Sequence, residues 1–287
     1  MGTEISSRVL VSGSGSVLHV WGNAIFAGAP FAEKAPVELI VQNGGKFSSD
    51  VSLDTYHTDV VIGATSQNEP VAAGELDVQE ISLQSGSAII LNHTELQYSL
   101  NASLSSYEYD NDDDGYADGD FMGAFSRIKA LNGTTTLTGA NTNYNGLLEI
   151  SSPAQINVNN QKNLGNAIIA NDGALNINTQ NDWTFSNRMT GNGTLAVNTG
   201  GNNFSFRNTK DTQGFTGTLA LSDTIFDLSG DNTIALSTAS LQADSGSQIT
   251  VGAGEQNVSG LIFNGGTINF GGVLPGAERT EGIIQVG

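Results

Sequence analysis

From residue 146 onward one short pattern keeps returning: a small residue, any residue, Leu or Ile, any residue, then an apolar or small one. It appears as GLLEI (146–150), GALNI (173–177), GTLAV (193–197), GTLAL (217–221), ASLQA (239–243) and GTINF (266–270), with starts 20 to 27 residues apart. Inside each copy the alternation has period two, the signature of a strand with one buried face. Self-similarity at this spacing constrains the fold strongly, because each repeat can bury its apolar residues only against the next. Between the copies lie further alternating runs: Trp183-Thr184-Phe185, Phe204-Ser205-Phe206 and Ile225-Phe226-Asp227-Leu228. Two or three short strands per turn of chain describe one coil of a parallel β-helix. The spacing is irregular and no G-G-x-G-x-D motif occurs, which separates the chain from calcium-binding nonapeptide helices.

The first 130 residues follow the same grammar. Val9 to Val11, Val17 to Val20, Val37 to Val41, Val51 to Leu53 and Ile89 to Leu91 read as strands between Gly-rich turns. Of the 29 asparagines, 23 lie after residue 131. Asn tolerates left-handed backbone in turns and can ladder from coil to coil, so both uses are expected. Alternation stops between Leu104 and Phe125, and a stretch that long without structure of its own is usually functional or disordered. The expected architecture is one all-β domain over residues 1–287, an elongated solenoid carrying one long acidic insertion loop at about 104–125, with almost no helix.

Charge and composition narrow the partners. Acidic residues outnumber basic ones, 29 to 10, for a net charge of −19. Nucleic acid is excluded as a partner on this ground, and so is purely electrostatic attachment to a sulphated glycan or an anionic membrane. The absence of cysteine removes disulfides, thiol catalysis and thiolate metal sites. No apolar run approaches the roughly 18 residues that span a bilayer. Met1-Gly2-Thr3-Glu4-Ile5-Ser6 has the form of a myristoylation signal but is read as a cloning remnant, with a signal peptide expected upstream.

Three segments carry a family resemblance: SAIILNHT (87–94), FSRIKALNGTTTLTGANTNYNGLLEI (125–150) and QGFTGTLALSDT (213–224). Together they resemble the passenger domains of bacterial autotransporter adhesins of the pertactin and AIDA type. The resemblance covers about residues 60 to 287, and its most specific part runs from NHT to TTLTG. It implies a right-handed parallel β-helix, exported through an outer-membrane barrel not contained in this chain and displayed on a Gram-negative cell surface or secreted.

The candidate sites follow from the residues. In YEYDNDDDGYADGDF (107–121), seven carboxylates occupy fifteen positions. Asp110, Asp112, Asp114 and Asp118, with Gly115 between, give D-x-D-x-D-G-x-x-D, a spacing that converges oxygens on one cation. The Tyr116 carbonyl would be the seventh-place ligand. Phe121 stands where an EF-hand has its bidentate Glu, and Asp120 lies one place earlier. The expectation is a Ca2+-ordered loop with Asn111 and Asp113 turned outward to a partner, weighed against a plain solvated acidic loop.

Polar clusters recur in the second half, and the ligand-binding candidates drawn from them are Asn160, Lys162, Asp182, Asn203, Lys210 and Asp211. They can be ordinary turns, where Asn and Asp are favoured for backbone reasons, or a polar strip aligned by coils stacked about 4.8 Å apart. Asp244-Ser245-Gly246-Ser247 resembles a serine-protease motif, but Ala243 replaces its leading Gly and the stretch reads as a turn. The expected function is non-enzymatic: a cell-surface adhesin binding host glycans such as glycosaminoglycans, or extracellular matrix proteins, or its own copies on neighbouring cells. The alternative is a secreted polysaccharide lyase or hydrolase, which would need paired carboxylates that no sequence feature singles out.

Overall fold

The computed structural model describes residues 7–28, 36–84, 86–107, 125–207, 214–271 and 282–286. Their regular structure is almost entirely short strands joined by turns, and these strands pair in parallel. The chain forms two compact units, residues 1–156 with 162–168, and residues 157–161 with 169–287. Each is a parallel β-helix segment.

In the first unit, strands Arg8–Ser12, Val37–Gln42, Thr58–Gly63, Ala88–Asn92, Arg127–Asn132 and Leu147–Ile150 lie side by side in one sheet. Each is followed along the chain by strands that belong to other sheets, so successive neighbours are one coil apart. Val17–Val20, Lys46–Ser49 and Glu75–Asp77 make a second sheet, and Ala24–Ala27, Ser52–Tyr56, Glu80–Gln84 and Ser103–Ser106 a third. Pairing in register puts like residues on like: Leu39, Val60, Ile89 and Ile128 form one continuous column, each at most 1% exposed. Burying such a side chain stabilises by about 1.5–3 kcal/mol, and here the burial comes from the coil above and the coil below.

In the second unit, four of the repeat copies stack directly: Ala174–Asn178, Thr194–Asn198, Thr218–Ser222 and Ser240–Asp244 are consecutive strands of one sheet, followed by Gly260–Asn264. Leu175, Leu195, Leu219 and Leu241 form an inward column at 0% exposure. The outer two copies of the pattern lie elsewhere. GLLEI belongs to the first unit's large sheet, and GTINF lies in the sheet of aromatic strands. Period-two alternation is the same on every inward-facing sheet, so the pattern marks strands without marking which face they occupy.

The runs Trp183–Phe185, Asn203–Phe206 and Ile225–Leu228 form that aromatic sheet. Phe204 stacks on Phe226 with centroids 6.2 Å apart, and meets Phe206 edge-on at 5.2 Å. Among the described residues of the second unit, one α-helix, Gly230–Leu236, interrupts the strands.

The asparagines divide the sequence expectation. Among the described residues, positive φ outside glycine occurs at Asn43, His57 and Asp223, so Asn is not the general left-handed residue of these turns. Glycine fills most of those positions. Asparagine instead bridges coils: Asn176 Nδ2 donates to Asn157 Oδ1 at 2.8 Å, and Asn166 Nδ2 to Asn145 Oδ1 at 3.0 Å.

Candidate functional site

The corner joining the two long sheets of the second unit carries polar groups in regular steps. Asn178, Asn198 and Ser222 stand in register at the ends of successive strands, and Asp244 is in register with Asn264. Asn178, Asn198, Ser222 and Asp244 each follow the last buried core residue of their strand, Ile177, Val197, Leu221 and Ala243, and therefore point outward. The row is tied along itself: Asn264 Nδ2 donates to Asp244 Oδ1 at 3.1 Å, and Gln242 Nε2 reaches the same carboxylate at 2.9 and 3.0 Å. Beneath the corner, Thr179, Thr199, Thr224 and Ser247 are buried. Thr199 Oγ1 donates to the Asn202 carbonyl and lies 3.3 Å from Thr224 Oγ1, so the turns are fixed from inside.

On the far side of the corner stand two of the sequence candidates. Asp182 Oδ1 accepts both the Asn203 backbone N–H, at 2.9 Å, and the Asn203 side-chain amide, at 3.0 Å. Both residues are exposed. The bond from the Asn203 backbone, with that from its side chain, holds the Asp182 carboxyl below the usual carboxylate range. Two residues further along each strand, Thr184 and Ser205 face each other with hydroxyls 3.4 Å apart. Polar side chains thus recur once per coil along the row Asn178, Asn198 and Ser222, at a step of about 4.8 Å. On the far side, by contrast, Ile225 stands in register with Asn203 and ends the Asp182–Asn203 row.

The other candidates are less concentrated. Asn160 and Lys162 are exposed, in and beside the short 3-10 turn Gln161–Asn163. Lys210 and Asp211 lie outside the described residues, as do Asn111 and the whole candidate calcium set, Asp110, Asp112, Asp114, Tyr116 and Asp118. Among the described residues no group of three or more His, Asp or Glu is placed to hold a metal. Asp244-Ser245-Gly246-Ser247 is a turn: the Ser247 hydroxyl and backbone N–H both donate to the Asp244 carbonyl, at 2.6 and 3.1 Å, and Gly246 has φ 80.

The residues that carry the family resemblance are structural. Asn141 Oδ1 accepts the Leu104 N–H at 2.8 Å while its amide donates to the Asn163 carbonyl at 2.6 Å. The Tyr144 hydroxyl donates to the Leu147 carbonyl at 2.7 Å, and His93 Nε2 lies 2.8 Å from Thr135 Oγ1. All four side chains are at most 1% exposed. The motif marks how coils are pinned together.

Sequence reasoning missed two features. The outward polar row was visible as the sixth position of the repeat, which reads Asn, Asn, Ser and Asp after GALNI, GTLAV, GTLAL and ASLQA. A cleft of about 350 Å³ in the first unit, walled by Glu75, Asp77, Glu95, Tyr98, Ser99 and Asn101, leaves no local signal, because its walls come from separate coils.

Two proteins of Escherichia coli K12 are similar to this chain. YuaQ, an uncharacterized protein, is 57% identical over 159 residues, a stretch covering 55% of this chain and 12% of YuaQ. YdeK, an uncharacterized lipoprotein, is 36% identical over 162 residues, covering 54% of this chain and 12% of YdeK. The chain therefore spans about an eighth of the length of each of these relatives. No family model and no solved structure matches it.

Proposed function

We propose that this chain is the binding part of a bacterial cell-surface adhesin, and that the polar corner of its second unit holds host glycans, glycosaminoglycans among them. The observation that carries the reading is the Asp182–Asn203 pair beside the outward row Asn178, Asn198 and Ser222. Short amides, hydroxyls and carboxylates repeated coil by coil suit an extended polymer with hydroxyls at regular intervals, and repeat proteins commonly bind along such faces. The similarity to YdeK, whose name makes it a lipoprotein, supports an envelope location. Matrix proteins and a second copy of the chain are the other occupants of this face that the reading allows.

A glycan array followed by calorimetry tests the proposal. Asp182→Ala/Asn203→Ala with Asn198→Ala is expected to weaken binding of the best glycan at least tenfold while the circular dichroism spectrum stays unchanged. Binding that survives the triple substitution, or turnover of the bound polysaccharide, would refute it.

A further inference from the structure

We infer that the outer face of the small sheet in the first unit, together with the cleft beside it, is a separate saccharide-binding strip selective for neutral hexopyranose oligosaccharides. This goes beyond the functional reading above, because the strip lies in the first unit and uses none of the corner residues.

The strip begins at Trp21, which is 86% exposed. An indole left in water is anomalous for so large an apolar surface. Its neighbour is held in place: His19 meets Trp21 edge-to-face with centroids 4.5 Å apart and planes at 86°. His19 is fixed in turn, Nδ1 lying 2.9 Å from Ser48 Oγ and Nε2 3.3 Å from Asp50 Oδ1. The indole is thus a pre-oriented flat platform.

Parallel pairing carries the strip onward. His19, Ser48 and Asp77 stand in register, as do Val17, Lys46 and Glu75 in the adjoining row. Phe47 and Leu76 between them point into the core, at 0% and 7% exposure, so both rows lie on the outer face. There Ser48, bonded to His19, is itself covered, while Lys46, Glu75 and Asp77 remain accessible. Lys46 Nζ bridges Glu75 Oε1 at 2.7 Å and Asp77 Oδ2 at 2.6 Å, a network of fixed donors and acceptors. Beyond the two carboxylates the surface falls into the cleft of about 350 Å³. One wall is Glu95, and against it His93 Nδ1, wholly buried and without a hydrogen bond, lies 3.3 Å from Glu95 Oε2.

The chemistry selects the ligand. An exposed aromatic face followed by the Lys46-bridged carboxylates and then a concavity that offers the Ser99 hydroxyl and the Asn101 amide suits an amphipathic ring with one apolar face and polar edges. A protein hot spot would place the aromatic in a desolvated centre, not at an open rim. Asp50, Glu75, Asp77 and Glu95 against the one cation, Lys46, oppose uronates and sulphates.

The chain's two tryptophans make the test direct, since Trp183 is only 3% exposed. With N-acetylglucosamine hexamer or cellohexaose as probe, the exposed component of tryptophan emission is expected to shift to the blue and lose its quenching by iodide. Trp21→Phe is expected to abolish the change, and Trp21→Ala to weaken calorimetric affinity at least tenfold. Asp182→Ala/Asn203→Ala should leave this response intact, so failure of the corner and failure of the strip are read separately. Unchanged emission at millimolar probe, binding that survives Trp21→Ala, or a heparin hexasaccharide shifting Trp21 in place of the neutral probes would overturn the inference.

Discussion

Gly217 explains why each repeat opens on a small residue. A Cβ there would lie within 2.7 Å of the Phe215 ring and closer still to the Gly193 carbonyl oxygen of the coil before, and a Cβ on Gly193 would meet the Gly173 carbonyl oxygen. The constraint is close approach of backbone to backbone between coils. Gly217→Ala is therefore expected to cost about 1–3 kcal/mol as overpacking, read as a lowered urea midpoint. His93 provides the second residue-scale outcome. Burial pushes its pKa below the ordinary 6.5, against the pull of Glu95, with Tyr98 packed beside it. Such a histidine stays neutral in the fold while the unfolded chain takes up a proton, so its cost appears as pH falls through about 6.5 and is absent above it. Asp59 acts in the opposite direction, since burial raises its pKa and favours the fold in acid. The comparison must accordingly be between wild type and His93→Gln: the loss of melting temperature between pH 7.5 and 5.5 is expected to be smaller in the variant.

At the scale of elements, the strands were legible and the helix was not. Val17 to Val20 is the strand Val17–Val20, and the aromatic runs became strands of one sheet because alternation alone decides burial there. The helix Gly230–Leu236 contains Ile234 and Leu236 in an alternating run that suits a strand equally well, and Ser229 before it makes no side-chain cap bond. What fixes it is tertiary: Asn232 Oδ1 accepts the Phe206 N–H at 2.7 Å, and its amide donates to the Asp227 carbonyl at 2.7 Å. Asn232→Ala would strand both backbone partners and is expected to cost about 1–3 kcal/mol, with hydrogen exchange rising first in 203–206 and 225–236. The acidic stretch 107–121 carries a prediction from its own chemistry. Aspartates this dense repel one another, and a divalent cation would offset the repulsion. Calorimetry with Ca2+ is expected to show saturable binding that disappears in Asp112→Ala/Asp114→Ala; no heat at millimolar Ca2+ would leave a solvated acidic segment.

For the whole molecule, the sequence made the fold class legible and the functional surface only partly so. Period two reports which residues face inward, and the outward rows are left over as polar residues that look like turns. Asp182 and Asn203 were found because they sit in polar clusters that recur along the second half of the chain, whereas the strip from Trp21 to Asn101 draws on coils far apart in the chain and has no local pattern. Net charge was legible from composition, and it sets the hardest test. At −19 the molecule repels polyanions at long range, so any glycan held at the polar corner must be held by short hydrogen bonds. Attraction between opposite net charges weakens as the screening length shrinks from about 10 Å at 0.1 M salt to about 3 Å at 1 M, while short-range bonds hardly change. The decisive measurement is the dissociation constant of the array-selected glycan at 50 mM and at 500 mM NaCl. The account predicts a change smaller than about threefold, and a loss of affinity of a hundredfold or more, the response of charge neutralisation with counterion release, would contradict it.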